Sequence, residues 1–327
     1  MMNIVACASD NYTMQCGVLF YSICKNNEDE VISFFVITDN GFSEFHKDQI
    51  RQTIEQFQHK TVSFIEVTDE QVDQFLQFEN SYYTRHVFYR LLMPELLPQN
   101  VEKALYLDCD IIVRHSLKEL WNIDISNYAI GCVRDALEAE IEKFNRLHYS
   151  YDKGYFNSGV LLANLSYWRK TNAVKRFGDF INNSGMIIEH PDQDVLNCVF
   201  LNEKLFLPFT YNMQSALLYK KQYLQIDYTK YKNDIKSSLN NPVILHLSGI
   251  RPWVKGCENI HPFASEFFKY KEQTLWKDTP LVSRRDIFST KEYLKIMFNI
   301  YLRKFASRFG LASNYPDKYD RTIKLKS

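Results

Sequence analysis

Two carboxylates spaced two residues apart end an apolar run, Leu105-Tyr106-Leu107-Asp108-Cys109-Asp110, and Ile111-Ile112-Val113 follows. In an extended chain residues i and i+2 point to the same side, so Asp108 and Asp110 can converge on one point. Carboxylates that close repel unless a proton or a cation lies between them. The carboxyl edge of a parallel sheet is also where ligands bind in open α/β folds. A divalent metal is the natural occupant. The plainer alternative is a solvated strand end with its acids facing apart, and Asp-x-Asp alone does not choose between the two.

Three further segments place polar groups beside apolar runs. In FNSGVLLAN, residues 156–164, Asn157 offers a donor and an acceptor and Gly159 permits close backbone approach. A simple turn before a buried strand would use the same residues. In HPDQDVLN, residues 190–197, Asp192, Gln193 and Asp194 cluster at an expected helix start. Aspartate is an ordinary capping choice there, so one of Asp192 and Asp194 is expected to be structural. Two acids and an amide are also what a sugar site uses, because hydroxyls need paired donors and acceptors. In HLSGIRPW, residues 246–253, His246 ends an apolar strand and precedes a Gly249 loop and Arg251. That suits a metal ligand followed by a phosphate contact, although a lone histidine is more often part of ordinary packing.

The elements that must position these groups read as α/β. Strands are expected over Ile4–Ala8, Val31–Thr38 and Thr61–Val67, alternating with helices over Tyr12–Asn26, from Ser43 and from Asp69. His46 stands where a capping box opened by Ser43 would have Glu, so that cap is partial. This order predicts a parallel sheet with helices on both faces. Ala104–Leu107, Ala129–Val133, Val160–Asn164 and Val243–His246 read as later strands, and Trp168–Asn183 and Gln193–Phe200 as helices. Residues 1–255 are expected to form one domain and residues 256–327 a helical C-terminal extension.

With 46% hydrophobic and 24% charged residues over 327 positions, the chain is neither disordered nor fibrous. Aromatic content of 15%, with 21 Tyr, suits a site that is half apolar and half wet. The net charge of zero hides an asymmetry: residues 284–327 carry eleven Lys/Arg against four Asp/Glu, or +7, and residues 1–283 carry −7. No basic stripe runs through the body, which argues against nucleic acid as a partner. The seven cysteines show no CxxC pair and read as reduced core residues. A signal peptide and a membrane-spanning run are not expected, which points to a cytoplasmic body. The tail over 287–311, rich in Tyr, Phe, Lys and Arg, reads as an interfacial membrane helix. A helix packed on the body or forming a dimer contact is the alternative.

Together the segments resemble glycosyltransferase family 8, which includes lipopolysaccharide galactosyltransferases and glycogenin. The order agrees from Ala8-Ser9-Asp10-Asn11-Tyr12 through Phe88-Tyr89-Arg90-Leu91, Asp108-Cys109-Asp110, Asn157-Ser158-Gly159 and Asp192-Gln193-Asp194 to His246, Gly249 and Pro252-Trp253. The resemblance spans about residues 3 to 255. It implies a GT-A nucleotide-sugar fold with a Rossmann-like mixed sheet. It implies transfer of galactose or glucose from a UDP-sugar, with retention, to a glycan or glycolipid acceptor in surface-polysaccharide or lipopolysaccharide synthesis. By the same resemblance Asp108, Asp110 and His246 would hold Mn²⁺, with Mg²⁺ as the alternative. Ala8, Asp10, Asn11 and Tyr12 would form the uridine pocket, with Tyr12 stacking on the base. Arg90, Asn157, Asp192 and Gln193 would hold the hexose, Ser9, Cys109 and Ser158 would complete the donor-contacting set, and Gly249 and Arg251 would meet the diphosphate.

Two departures stand out. Ser9 occupies a position where relatives often carry an acid, and Arg251 stands where Lys is usual, with Lys255 as the fallback cation. Asp192, Gln193 and Arg251 form the expected catalytic set. Gln193 is a neutral amide and a poor nucleophile, and Asp192 resembles a hydroxyl ligand, so same-side attack is expected rather than a covalent intermediate. The segment Asn80–Thr84 is expected to act as a lid. Two rival readings share the residues: a haloacid-dehalogenase-like phosphohydrolase, whose nucleophile strand also reads Asp-x-Asp, and a non-catalytic sugar-binding module of the same fold.

Overall fold

A computed structural model describes residues 1–73, 75, 85–138, 141–186, 188–221, 224–249 and 251–283, with 298, 305, 320 and 322–325 of the tail. The expected lid at Asn80–Thr84 and the expected tail helix over 287–311 lie outside the described residues, save for single positions in the tail.

The first three strands are β1 (Met2–Cys7), β2 (Ile32–Thr38) and β3 (Lys60–Glu66), separated by α1 (Thr13–Asn26) and α2 (Glu44–Glu55). They pair in parallel. β1 and β2 are buried along nearly their whole length, as a sheet covered on both faces requires. Ser43 caps α2 by accepting from the His46 N–H. The next strands are β4 (Lys103–Leu107), β5 (Ile111–Val113), β6 (Ile130–Arg134), β7 (Phe156–Asn164) and β8 (Lys204–Leu207). The main sheet has the order β3-β2-β1-β4-β7-β6-β8. β4 continues the parallel half, whereas β7 runs antiparallel to both β4 and β6, so the sheet is mixed. A second, small sheet joins β5 to β10 (Ile244–His246) and β9 (Met213–Gln214).

Two apolar layers flank the main sheet. One contains α1 and the small sheet; the other contains Trp168, Phe177 and Phe200, packed edge to face and tilted. α1 is buried from Thr13 to Cys24. Its outer side is covered by residues 263–276, where Phe267, Tyr270 and Trp276 join the same core as α1.

Three local expectations change. The helix expected over Trp168–Asn183 is two helices, Leu165–Lys170 and Ala173–Asn183. Asn172 breaks it in the left-handed region at φ 49°, a conformation asparagine tolerates. The Asn157-Ser158-Gly159 segment is strand rather than turn, because β7 begins at Phe156 and absorbs a register shift opposite Cys132 and Val133. Asp108 and Asp110 do not sit on one extended strand: β4 stops at Leu107 and the chain turns before β5. All seven cysteines are free thiols.

The cover on α1 is tight enough to test. A Cβ added at Gly17 would overlap the buried Trp276 ring. Gly17→Ala is therefore expected to destabilise the protein by about 1–3 kcal/mol from overpacking, although alanine is the better helix former by ~1 kcal/mol. Urea denaturation decides it, and a variant as stable as the parent would show that this cover is loose.

Candidate active site

The turn after β4 has a purpose in the geometry. β5 pairs antiparallel with β10, with His246 opposite Ile111, and the Leu247 N–H donates to the Asp110 carbonyl at 2.8 Å. This brings His246 Nε2 to 3.1 Å from Asp110 Oδ1. One ligand atom each from Asp108, Asp110 and His246 lie within 4.8 Å of one another. The cradle is kept open by Gly159, where a Cβ would overlap His246 Cε1 and lie 2.8 Å from Asp108 Oδ2. Two carboxylates and one imidazole form a donor set that a divalent cation of the Mn²⁺ or Mg²⁺ kind accepts.

The electrostatics agree with a site that wants a positive charge. Burial is the largest influence on Asp110 and raises its pKa, but His246 and then Arg251 bring it below the ordinary 3.8. Burial works against a charged His246, yet the Asp110 carboxylate outweighs it and lifts the imidazole above its ordinary 6.5.

A cleft of about 320 Å³ opens beside these groups, and Ser9, Tyr12, Arg90, Asp108, Asp110 and Arg251 are among its walls. The Arg251 guanidinium lies 5.9 Å from the Tyr12 ring centroid. It follows Gly249, whose φ of 87° gives the loop a turn that side-chain-bearing residues rarely adopt. Lys255 is exposed and does not line the cleft, so among the described residues Arg251 is the cation at this end. Asp10 behaves differently from Ser9 and Tyr12. Its Oδ1 accepts from the Ser43 N–H and hydroxyl, both at 2.9 Å, and lies 2.6 Å from His46 Nδ1. Burial raises its pKa, but these contacts outweigh that and hold it low. Asp10 thus ties the loop to the start of α2, and Ala8, Asp10 and Asn11 are not among the cleft walls.

At the other end Arg90 is the hub. It lies on a 3-10 helix, Arg85–Leu92, and is almost fully buried. Its guanidinium meets Asp108 Oδ1 at 3.0 Å and Asp192 Oδ2 at 3.1 Å, donates to the Ser158 carbonyl at 3.0 Å, and covers the Tyr106 ring at 4.5 Å. Burial opposes its charge, but Asp108 and Asp192 outweigh that and hold Arg90 well above its ordinary value. Asp194 is the structural acid of the pair. It is wholly buried and accepts from Arg146, from the Tyr155 hydroxyl at 2.6 Å, and from the N–H groups of Glu189 and His190. The Gln193 amide oxygen is occupied: Oε1 accepts from Asn157 Nδ2 and the Ser158 N–H, and Nε2 donates to Asp135 Oδ2.

Three participants were not singled out from sequence. The Tyr106 hydroxyl donates to Asp108 at 2.7 Å, and its position two before Asp108 on an apolar strand was a usable signal. Asp135 follows the run that became β6, so an acid at a strand end was visible there too. Asn212 lies between His246 and Asn157, and no motif marks it.

Comparison with known proteins now identifies the group. The sequence matches the family model of Glycosyl transferase family 8 over residues 3–257. The chain belongs to glycosyl transferase family 8. It is 29% identical over 287 residues to general stress protein A of Bacillus subtilis, spanning 84% of this chain and 95% of that protein. It is 26% identical to the lipopolysaccharide glucosyltransferase WaaO of Escherichia coli, spanning 91% and 86%. The galactosyltransferase LgtC, crystallised with donor and acceptor sugar analogues, superposes with a TM-score of 0.72 at 24% identity, covering 84% of this chain and 96% of that one. The family 8 chain is thus a glycosyltransferase with the GT-A architecture, and its membership carries a nucleotide-sugar donor and a glycan acceptor. Among the described residues no helix is long and apolar enough to cross a membrane.

Proposed function

We propose that this enzyme moves a hexose, galactose or glucose, from a UDP-sugar to a glycan or glycolipid acceptor in surface-polysaccharide or lipopolysaccharide synthesis, with retention at the anomeric carbon. The observation that carries the reading is the convergence of Asp108, Asp110 and His246 on one point beside a cleft walled by Tyr12 and Arg251. Asp108, Asp110 and His246 would hold Mn²⁺ or Mg²⁺, which when bound supplies Lewis-acid stabilisation of the departing diphosphate. Arg251 adds a fixed positive charge where that diphosphate gains negative charge. Tyr12 offers a ring face to uracil, and Arg90 and Asp192 offer a donor and an acceptor to hexose hydroxyls.

The reacting step breaks the bond from hexose C1 to the diphosphate oxygen, and the electron pair leaves with UDP. The acceptor hydroxyl oxygen bonds C1 from the same face, and its proton goes to the departing phosphate. Occupation of the Gln193 amide oxygen supports this route, because that neutral oxygen already accepts from Asn157 and Ser158 and is not free to attack C1. A panel of nucleotide sugars with Mn²⁺, scored by UDP release, tests the reading. Turnover of UDP-glucose or UDP-galactose supports it. Phosphate release from an aryl phosphate without any UDP release would favour a phosphohydrolase instead.

A pH dependence follows from the His246–Asp110 pair. Asp110 lies below its ordinary 3.8, so its contribution to stability is present above that value and lost as pH falls through its lower folded pKa. His246 lies above 6.5, so its contribution is present below 6.5 and lost as pH rises through its folded pKa. A cation needs the same imidazole nitrogen without its proton. The Tm gain on adding Mn²⁺ is therefore expected to be larger near pH 8 than near pH 6. An equal or larger gain near pH 6, by differential scanning fluorimetry, would contradict the pairing of these groups at the metal site.

A further inference from the structure

Asn212 lies between two halves of the site and is wholly buried. It follows the short 3-10 turn Phe209–Tyr211 and precedes β9, so neither apolar periodicity nor a charged motif accounts for a buried amide there. Its Oδ1 lies 2.9 Å from His246 Nδ1, and its Nδ2 donates to Asn157 Oδ1 at 2.9 Å. Asn157 Nδ2 in turn donates to Gln193 Oε1 at 3.2 Å, and Gln193 Nε2 donates to Asp135 Oδ2 at 3.1 Å. One hydrogen-bonded chain of three amides thus runs from the imidazole to a carboxylate.

The direction of the chain is fixed by backbone groups, not by choice of amide orientation. A backbone N–H can only donate. The Ser158 N–H donates to the same Gln193 atom at 3.0 Å, so that atom is the oxygen. The Gly159 N–H donates to Asn157 at 3.0 Å, so that atom is the oxygen as well. Asn212 must then present its NH₂ to Asn157 and its oxygen to His246. The only group on His246 that can meet an oxygen is an N–H, so Nδ1 carries a proton and Nε2 is the nitrogen turned toward Asp110.

We propose that Asn212 is a positioning residue that orients two halves of the site at once: it selects the Nδ1–H form of His246, leaving Nε2 as the metal-binding nitrogen, and it holds the Asn157 amide in register on the hexose side. The proposal rests on the reading of Asp108, Asp110 and His246 as metal ligands. Outer partners of this kind set ligand orientation, and removing them typically costs about 10–100-fold in metal affinity.

Two variants separate the two roles. Asn212→Leu keeps the branch at Cγ and the number of side-chain heavy atoms and removes both hydrogen bonds. Asn212→Asp is nearly isosteric; it still accepts from His246 Nδ1 but has no donor for Asn157. The probe is Mn²⁺ alone, counted by the electron paramagnetic resonance signal of the free ion on the full chain, followed by kcat and KM for UDP-glucose and UDP-galactose. Asn212→Leu is expected to weaken Mn²⁺ binding about 10–100-fold. Asn212→Asp is expected to keep Mn²⁺ affinity within about threefold of wild type while raising the donor KM roughly tenfold, the size of one lost hydrogen bond. Wild-type Mn²⁺ affinity in folded Asn212→Leu, or a wild-type donor KM in Asn212→Asp, would overturn the proposal. If Asn212→Leu does not fold, the split between metal affinity and KM in Asn212→Asp decides it alone. Asp110→Asn is the control: retention of full Mn²⁺ affinity there means that the metal assignment has failed, whereas its loss beside an unaffected Asn212→Leu means that only the role of Asn212 has.

Discussion

Asp110→Asn is expected to lower hexosyl transfer at least about a thousandfold at saturating donor and Mn²⁺. A bound cation is worth several kcal/mol of charge stabilisation on a leaving diphosphate, and each 1.36 kcal/mol is a factor of about ten in rate. Asp110 is the cleaner of the two acids to remove. Its side chain meets His246 at 3.1 Å, and asparagine fills the same space. The fold should therefore persist, with the thermal transition lowered only by the loss of the Asp110–His246 pair. Asp108→Asn differs in kind, because Asp108 also pairs with Arg90 and accepts from Tyr106. It should lose activity and stability together. UDP release by the purified variants distinguishes the cases, and Asp110→Asn turnover within tenfold of wild type would remove Asp110 from the chemistry.

The largest effect on stability is expected at Arg90. Its guanidinium, itself almost fully buried, pairs with Asp108 and Asp192, holds the Ser158 carbonyl and covers Tyr106. Arg90→Met keeps the apolar stem but leaves the buried Asp192 and the half-buried Asp108 without their shared cation. Breaking a buried pair by removing one partner costs about 3–5 kcal/mol, and here two acids lose the same partner. Arg90→Lys should recover part of the stability but little of the donor KM, because an ammonium is a point charge and cannot span three acceptors in a fork. Urea denaturation with donor kinetics measures both. A loss below about 1 kcal/mol in Arg90→Met would mean that Asp192 is solvated, contrary to its burial here.

The parts of this molecule that could be read from sequence are those where one physical rule acts alone. β1, α1, β2, α2 and β3 follow from apolar runs and turn residues, and their limits fall within two residues of expectation. The grouping of Asp108, Asp110 and His246 was also legible, but the reason offered for the two acids was incomplete. Alternation along one strand brings Asp108 and Asp110 to one side, whereas the structure uses a turn at Cys109 and Asp110 and a second small sheet to bring β10 alongside. Strand pairing between residues more than a hundred positions apart leaves no local trace. The same holds for Asn212, whose neighbours are assigned only by the folded chain. The break at Asn172 was hidden because helical periodicity runs on through it, and only the left-handed backbone at that asparagine interrupts it. Asp192 and Asp194 are two residues apart with equal claims on the helix start. Burial assigns Asp194 to Arg146 and Tyr155, and leaves Asp192 to Arg90.

The most direct test is anomalous diffraction at the manganese edge from crystals soaked with Mn²⁺ and UDP. A single strong peak bonded to the Asp108 and Asp110 carboxylates and to His246 Nε2, with diphosphate oxygens completing its shell and Arg251 alongside, is the predicted result. A cation held by other side chains, or UDP seated with no ion near those three residues, would contradict it.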